Sequence, residues 1–188
     1  MKRTGKIVIT LVTVSLLVLT AACAPAVTEE EVTPTPTVEW GIIEIWVTDP
    51  PPAKVKSANV TLAKIEVHRE GAGWVKVMDA VPSFDLLEVS LVSAKLGAAT
   101  SVTGNYTGIR MDVIEVSGNM TDEYGGGWYT ANVTSGKLRI VRPFNVGAGL
   151  TTVLTLDFVG EKCLIRTGKG TYLFKPVVKL TIAYEELP

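Results

Sequence analysis

Short runs of alternating apolar and polar residues recur along most of the chain, separated by glycine-rich turns, and no stretch between them shows sustained helical periodicity. In the clearest run, Leu154, Leu156 and Phe158 alternate with Thr155 and Asp157. Because successive residues of a strand face opposite sides, each run predicts a strand with one buried face. We therefore predict an all-β domain, an antiparallel β-sandwich of about eight or nine strands that is immunoglobulin-like or transthyretin-like.

Two segments depart from simple alternation. Val60 and Leu62 differ in phase from Ile65 and Val67, which predicts a β-bulge or a sheet edge nearby. Residues 90–99 read SLVSAKLGAA and predict a short helical turn, the only one expected in the domain.

The N-terminus has the zones of an export signal. Lys2, Arg3 and Lys6 form a basic start without an acidic residue, and residues 7–19 form an apolar run. That run is shorter than the roughly 20 residues that span a bilayer comfortably, which favours a cleaved signal over a permanent span.

The apolar run ends in LTAAC, residues 19–23, which resembles the lipobox of bacterial lipoproteins. Thr20 departs from that pattern, in which leucine is usual at this position. We predict cleavage between Ala22 and Cys23 and lipidation of Cys23, with acyl chains such as palmitate. The alternative is an ordinary secretory signal cut after Ala22, which would leave Cys23 as a plain thiol.

The segment after the cysteine is rich in Pro, Thr and Glu and cannot bury enough apolar surface to order itself. We predict a signal peptide over residues 1–22, a lipidated Cys23 with a tether over residues 23–38, and the sandwich over residues 39–188. The predicted location is the extracytoplasmic face of the cell membrane, as part of the cell envelope.

Charge and cysteine content narrow the functional classes. Without Lys2, Arg3 and Lys6 the mature chain carries 15 basic and 19 acidic side chains, a net charge of about −4 that gives no reason to expect nucleic acid as a partner. With Cys23 acylated, only Cys163 remains, so no intramolecular disulfide can form. We expect Cys163 to be a small buried side chain.

The charge is unevenly placed along the chain. Residues 39–136 hold 7 basic and 12 acidic residues, whereas residues 137–179 hold 8 basic and 2 acidic residues. The basic segment is either a patch for an anionic partner, such as a phosphorylated wall polymer, a lipid head group or an acidic glycan, or it is neutralised by neighbouring acidic strands. We favour the second interpretation.

Residues with catalytic chemistry are few. His68 is the only histidine, which excludes a zinc site or relay that needs a second one. No G-x-S-x-G motif or phosphate loop is present, so we predict no enzyme, no cofactor and no metal site. Two alternatives stay open: a carboxylate-dependent hydrolase, for which Asp49, Asp112 and Asp157 are candidates, and calcium binding by residues 121–123 with Asn119.

The four tryptophans are candidate ligand contacts, since exposed aromatic side chains serve many binding surfaces. Core packing is the alternative for each of them. Trp46 alternates with apolar neighbours and is expected to face outward. The predicted ligand face combines two tryptophans with two lysines of the basic segment: Trp46, Trp128, Lys175 and Lys179. The partners expected there are a surface glycan, a wall polymer or an envelope protein.

Several segments, taken in order, resemble the domain-of-unknown-function family 4382 of prokaryotic lipoproteins. They include IIEIWVTDPPP from Ile42, NVTLAKIEVHREGAGWVKV from Asn59, YTGIRMDV from Tyr106 and RPFNVGAGLTTVLTLDF from Arg142. The resemblance implies a β-sandwich attached to the cell envelope and implies no known activity. The sequence thus predicts a non-catalytic binding module, with a structural or assembly subunit of an envelope complex as the alternative.

Overall fold

The computed structural model describes residues 37–48, 54–79, 83–90 and 92–186. The predicted signal peptide, the cleavage site at Ala22 and Cys23, and nearly all of the tether lie outside these residues. Within the described ranges, no helix is long and apolar enough to cross a membrane. The residues from Thr37 onward form one compact unit.

Strands dominate the described residues, as the alternating pattern predicts. The strands are β1 (Trp40–Thr48), β2 (Val55–Arg69), β3 (Gly73–Asp79), β4 (Phe84–Asp85), β5 (Ala94–Val102), β6 (Gly104–Met120), β7 (Trp128–Val133), β8 (Lys137–Val146), β9 (Leu150–Phe158), β10 (Leu164–Arg166), β11 (Tyr172–Phe174) and β12 (Val178–Glu186). One α-helical turn, α1 (Gly160–Cys163), and two 3₁₀ turns, Glu88–Ser90 and Asp122–Tyr124, join them.

The strands form two sheets that pack as a sandwich. The small sheet has four strands in the order β12-β9-β1-β5. The large sheet has eight strands: β10-β11-β7-β6-β2-β3 in order, with β4 on β2 and β8 on β6. The predicted all-β sandwich is confirmed. Two parallel pairs, β1 with β9 and β7 with β11, make both sheets mixed, whereas the predicted sandwich was antiparallel. Alternation of apolar and polar residues shows which face of a strand is buried but not the direction of the neighbouring strand.

The core lies between the sheets and is formed by the inward residues of the alternating runs. Ile43, Ile45 and Val47 of β1 are fully buried, as are Leu154 and the other inward residues of β9. Burying each such side chain contributes about 1.5–3 kcal/mol to folding. Cys163 is also fully buried, as predicted, and its sulfur accepts a hydrogen bond from the backbone N–H of Val177.

The predicted β-bulge in β2 is confirmed. Leu62 lies opposite Val113 of β6, whereas Ile65 lies opposite Met111, so β2 has one extra residue in this interval. The extra residue lets both apolar pairs of β2 face the core despite their difference in phase. It also fixes which side chains of the second half of β2 face outward, namely Lys64, Glu66 and His68.

The helical turn expected over residues 90–99 is limited to the 3₁₀ turn Glu88–Ser90, which overlaps that segment only at Ser90. Residues 94–102 form strand β5, which pairs antiparallel with β1. A Cβ at Gly97 would lie 2.5 Å from the Cε of Met78, so the glycine allows the β5 edge of the small sheet to approach β3.

Gly118 of β6 provides a test of this packing. Its added Cβ would overlap the backbone carbonyl of Ser57 on the neighbouring strand. We expect Gly118→Ala to lower the free energy of unfolding by about 1–3 kcal/mol, measured by urea denaturation. Gly136→Ala is the matched control, because its nearest contact would be an ordinary 3.6 Å from Val113 O. Equal stability of the two variants would contradict the register of β2 and β6.

Candidate functional site

The outer face of the large sheet, over strands β3, β2, β6 and β8, carries a dense group of functional side chains. These side chains alternate with residues that pack in or against the core, so they face solvent. We call this surface the Trp74 face. It consists of Trp74 and Lys76 of β3; Lys64, Glu66 and His68 of β2; Arg110 and Asp112 of β6; and Lys137 and Arg139 of β8.

Trp74 lies at the centre of this group. Its ring centroid is 4.3 Å from the guanidinium carbon of Arg110 and 5.3 Å from that of Arg139. His68 meets the same indole edge-on, with ring centroids 5.0 Å apart and an interplanar angle of 71°. Because Arg110 is two strands away from Trp74, the half-buried indole reaches across β2. The arrangement places one aromatic ring against two cations.

Gly108 leaves the space that this arrangement needs. It lies opposite His68 on one side and Val141 on the other, so no side chain stands between them on the outer face. A Cβ there would be 2.6 Å from the backbone oxygen of Ile140. The glycine therefore permits the close approach of β8 as well as the gap beside Trp74.

A carboxylate holds one of the two arginines in place. Arg110 donates from Nε to Glu66 at 2.6 Å and from Nη2 at 3.0 Å, and the ammonium of Lys64 lies 3.2 Å from the same carboxylate. The hydrogen bonds from Arg110 are the main reason that the pKa of Glu66 falls to about 2. Glu66 is thus ionised at neutral pH, and two donors of Arg110 are occupied.

Arg139 differs, since it has no acidic side chain within 4.0 Å among the described residues. It lies directly opposite Arg110 in the β6–β8 register. Like charges directly opposite each other destabilise a sheet, so the Arg110–Arg139 pair lowers the stability of the β6–β8 pairing. Sheets carry such pairs most readily where function requires them.

The basic segment 137–179 makes no ion pair in the described part of the chain. Lys137 lies opposite Asp112, and Lys179 lies opposite Asp157, but neither pair comes within 4.0 Å. Neighbouring acidic strands therefore reduce the positive potential of this segment without binding its cations directly. That leaves Arg139 available to an external anion.

The residues predicted as a ligand face are distributed over the fold. Trp46 and Lys179 lie on the outer face of the small sheet, and the Trp46 indole donates to Glu44 at 2.9 Å. Trp128, 64 % exposed, begins β7 in the large sheet, and Lys175 lies between β11 and β12. Trp74 was one of the four candidate tryptophans but was not part of the predicted ligand face. Alternation shows which side of a strand a residue faces, but it does not show the residue's neighbours on adjacent strands.

The other candidates do not converge in the described residues. Asp112 and Asp157 lie on the outer faces of different sheets, and Asp49 is outside the described ranges. Asp122, of the candidate calcium loop, is 3.0 Å from the ammonium of Lys56. Within the described ranges, no three His, Cys, Asp or Glu side chains are grouped as metal ligands would be.

The ion pair of Glu66 can be tested by its pH dependence. The folded pKa of Glu66 is below the unfolded value of about 4.3, so its stabilisation is present above that pH and is lost as the pH falls toward 2. We expect Glu66→Gln to cost about 1–2 kcal/mol at pH 7, measured by urea denaturation, and the difference from wild type to shrink below pH 4.3.

Glu115→Gln is the matched control, since Glu115 is an exposed carboxylate on β6 without an ion pair among the described residues. A Glu66→Gln effect that stays constant between pH 7 and pH 3 would show that the carboxylate's charge does not stabilise the fold.

Comparison with known proteins supports the resemblance seen in the sequence. Residues 40–176, most of the chain, match the family described as Domain of unknown function (DUF4382). Neither a curated protein nor a solved structure gives a significant match. The matched range includes every strand from β1 to β11 and all of the Trp74 face. The chain belongs to the DUF4382 family.

Proposed function

We propose that the chain is a membrane-anchored, extracytoplasmic lipoprotein whose β-sandwich is a non-catalytic binding module. The export signal, the lipobox ending at Cys23 and the Pro/Thr/Glu-rich tether support the anchored location. The binding role rests on one observation, the contact of Trp74 with two guanidinium groups on a solvent-facing sheet. The ligand would lie on the Trp74 face.

The chemistry of this face supports binding over catalysis. A general acid or base works best when its pKa is close to the working pH. Glu66, the carboxylate nearest the centre of the site, has a pKa of about 2 and is held by Arg110. His68, the only histidine, shares a hydrogen bond of 2.8 Å with Thr107 and packs on Trp74. Glu66 and His68 are thus both held in place by neighbouring side chains, which suits a binding surface.

The anchor is tested by metabolic labelling with palmitate. We expect Cys23→Ser to abolish labelling and to release the protein from the membrane fraction, because the lipid would be attached through that sulfur. Cys163→Ala is the control, since Cys163 is fully buried in the domain. Label that persists in Cys23→Ser and disappears in Cys163→Ala would exclude the proposed anchor.

Binding is tested by capture of envelope fractions on the immobilised full-length protein. We expect Trp74→Ala to reduce capture by about tenfold, as the loss of a central aromatic contact does in binding sites. Trp128→Ala removes the more exposed ring and serves as the control. Near-ultraviolet circular dichroism would verify that both variants are folded. Equal capture by wild type and Trp74→Ala would remove this face as the binding site.

A further inference from the structure

We propose that the Trp74 face binds an acidic polysaccharide, with Arg139 contacting a carboxylate of a sugar unit. This names the ligand class of the binding module proposed above and rests on that function. Five of the nine side chains on the face are cationic and two are carboxylates, and a third carboxylate, Asp79, pairs with Lys76 at the edge of the face. The excess positive charge is complementary to a polyanion.

The cations on this face are not equally available. Glu66 engages Arg110 and Lys64, and Lys76 is 2.6 Å from Asp79 at the end of β3. Arg139 retains all its donors, since no described acidic side chain lies within 4.0 Å of it. Its planar guanidinium matches a carboxylate with two parallel hydrogen bonds. Arg139 is thus the anion contact.

Trp74 and Val141 supply the apolar part of the surface. Trp74 is half-buried beside Arg139, and Val141 is 73 % exposed on the same strand as Arg139. An acidic sugar unit has an apolar C–H surface next to its carboxylate. One such unit can therefore contact an aromatic or aliphatic side chain and a guanidinium together.

The spacing of the cations on β8 favours a polymer. Lys137 and Arg139 are two residues apart on one face, a separation of roughly 6.6 Å along the strand. Lys137 is exposed and lies opposite Asp112 without forming an ion pair among the described residues. A chain with repeated carboxylates can contact both cations, and repeated weak contacts add to its residence on the surface.

The experiment uses the full-length protein in phosphatidylcholine nanodiscs, with polygalacturonate as the acidic polysaccharide and dextran as the neutral one. We expect polygalacturonate to bind and dextran not to bind. Arg139→Gln should weaken polygalacturonate binding by about tenfold, and Arg139→Lys should lie between it and wild type because it keeps the charge without the planar fork. Arg166→Gln, an equal charge loss at exposed Arg166 on β10, should change little.

Several outcomes would overturn the proposal. Equal losses in Arg139→Gln and Arg166→Gln would show unspecific charge attraction. Tighter binding of polyglutamate or of phosphatidylglycerol vesicles, dependent on Arg139, would assign the face to an acidic protein or a membrane. Envelope capture that needs Trp74, without any binding of polygalacturonate, would reject the acidic polysaccharide and keep the binding module. Absence of both envelope capture and polygalacturonate binding would reject the binding module as well as its proposed ligand class.

Discussion

The antiparallel pairing of β2 with β6 is the interaction on which the other elements depend. These strands have 15 and 17 residues, longer than any other in the molecule's described part. β3 and β4 pair with β2, and β7 and β8 pair with β6, so the large sheet grows outward from this pair. The register of this pair shifts at four places, and one of them is the bulge between Leu62 and Ile65. Without that bulge, Glu66 and His68 would point into the core, where an unpaired charge is costly.

The features that depend on local alternation were predictable from the sequence. The buried residues of β1 and β9 and the change of phase in β2 follow from which positions are apolar. Strands β4, β10 and β11 have only two or three residues, too few for a period to be visible. The parallel pairing of β1 with β9 depends on contacts between segments about a hundred residues apart, and no local pattern encodes it.

The candidate site illustrates the same limit. Alternation assigns Trp74, Arg110 and Arg139 to outward positions one strand at a time, yet the site exists only because β3, β2, β6 and β8 are neighbours in that order. The uneven charge of the chain allowed two interpretations of the segment from residue 137, a patch for an anionic partner or neutralisation by neighbouring acidic strands, and the second was favoured. It could not show that Arg139 would lie opposite another arginine instead of an acid. The register between β6 and β8 determines that pairing.

Glu66 explains how the sheet tolerates two arginines on adjacent strands while one of them keeps its positive charge unpaired. Its carboxylate binds Arg110 through two hydrogen bonds and stays ionised to low pH, so the Arg110–Glu66 pair is nearly neutral. The repulsion between Arg139 and Arg110 is therefore weakened, and the indole of Trp74 attracts the Arg139 guanidinium. One uncompensated guanidinium gives a weak, salt-sensitive contact with a single anion. Such a contact gains strength when the ligand carries repeated anions.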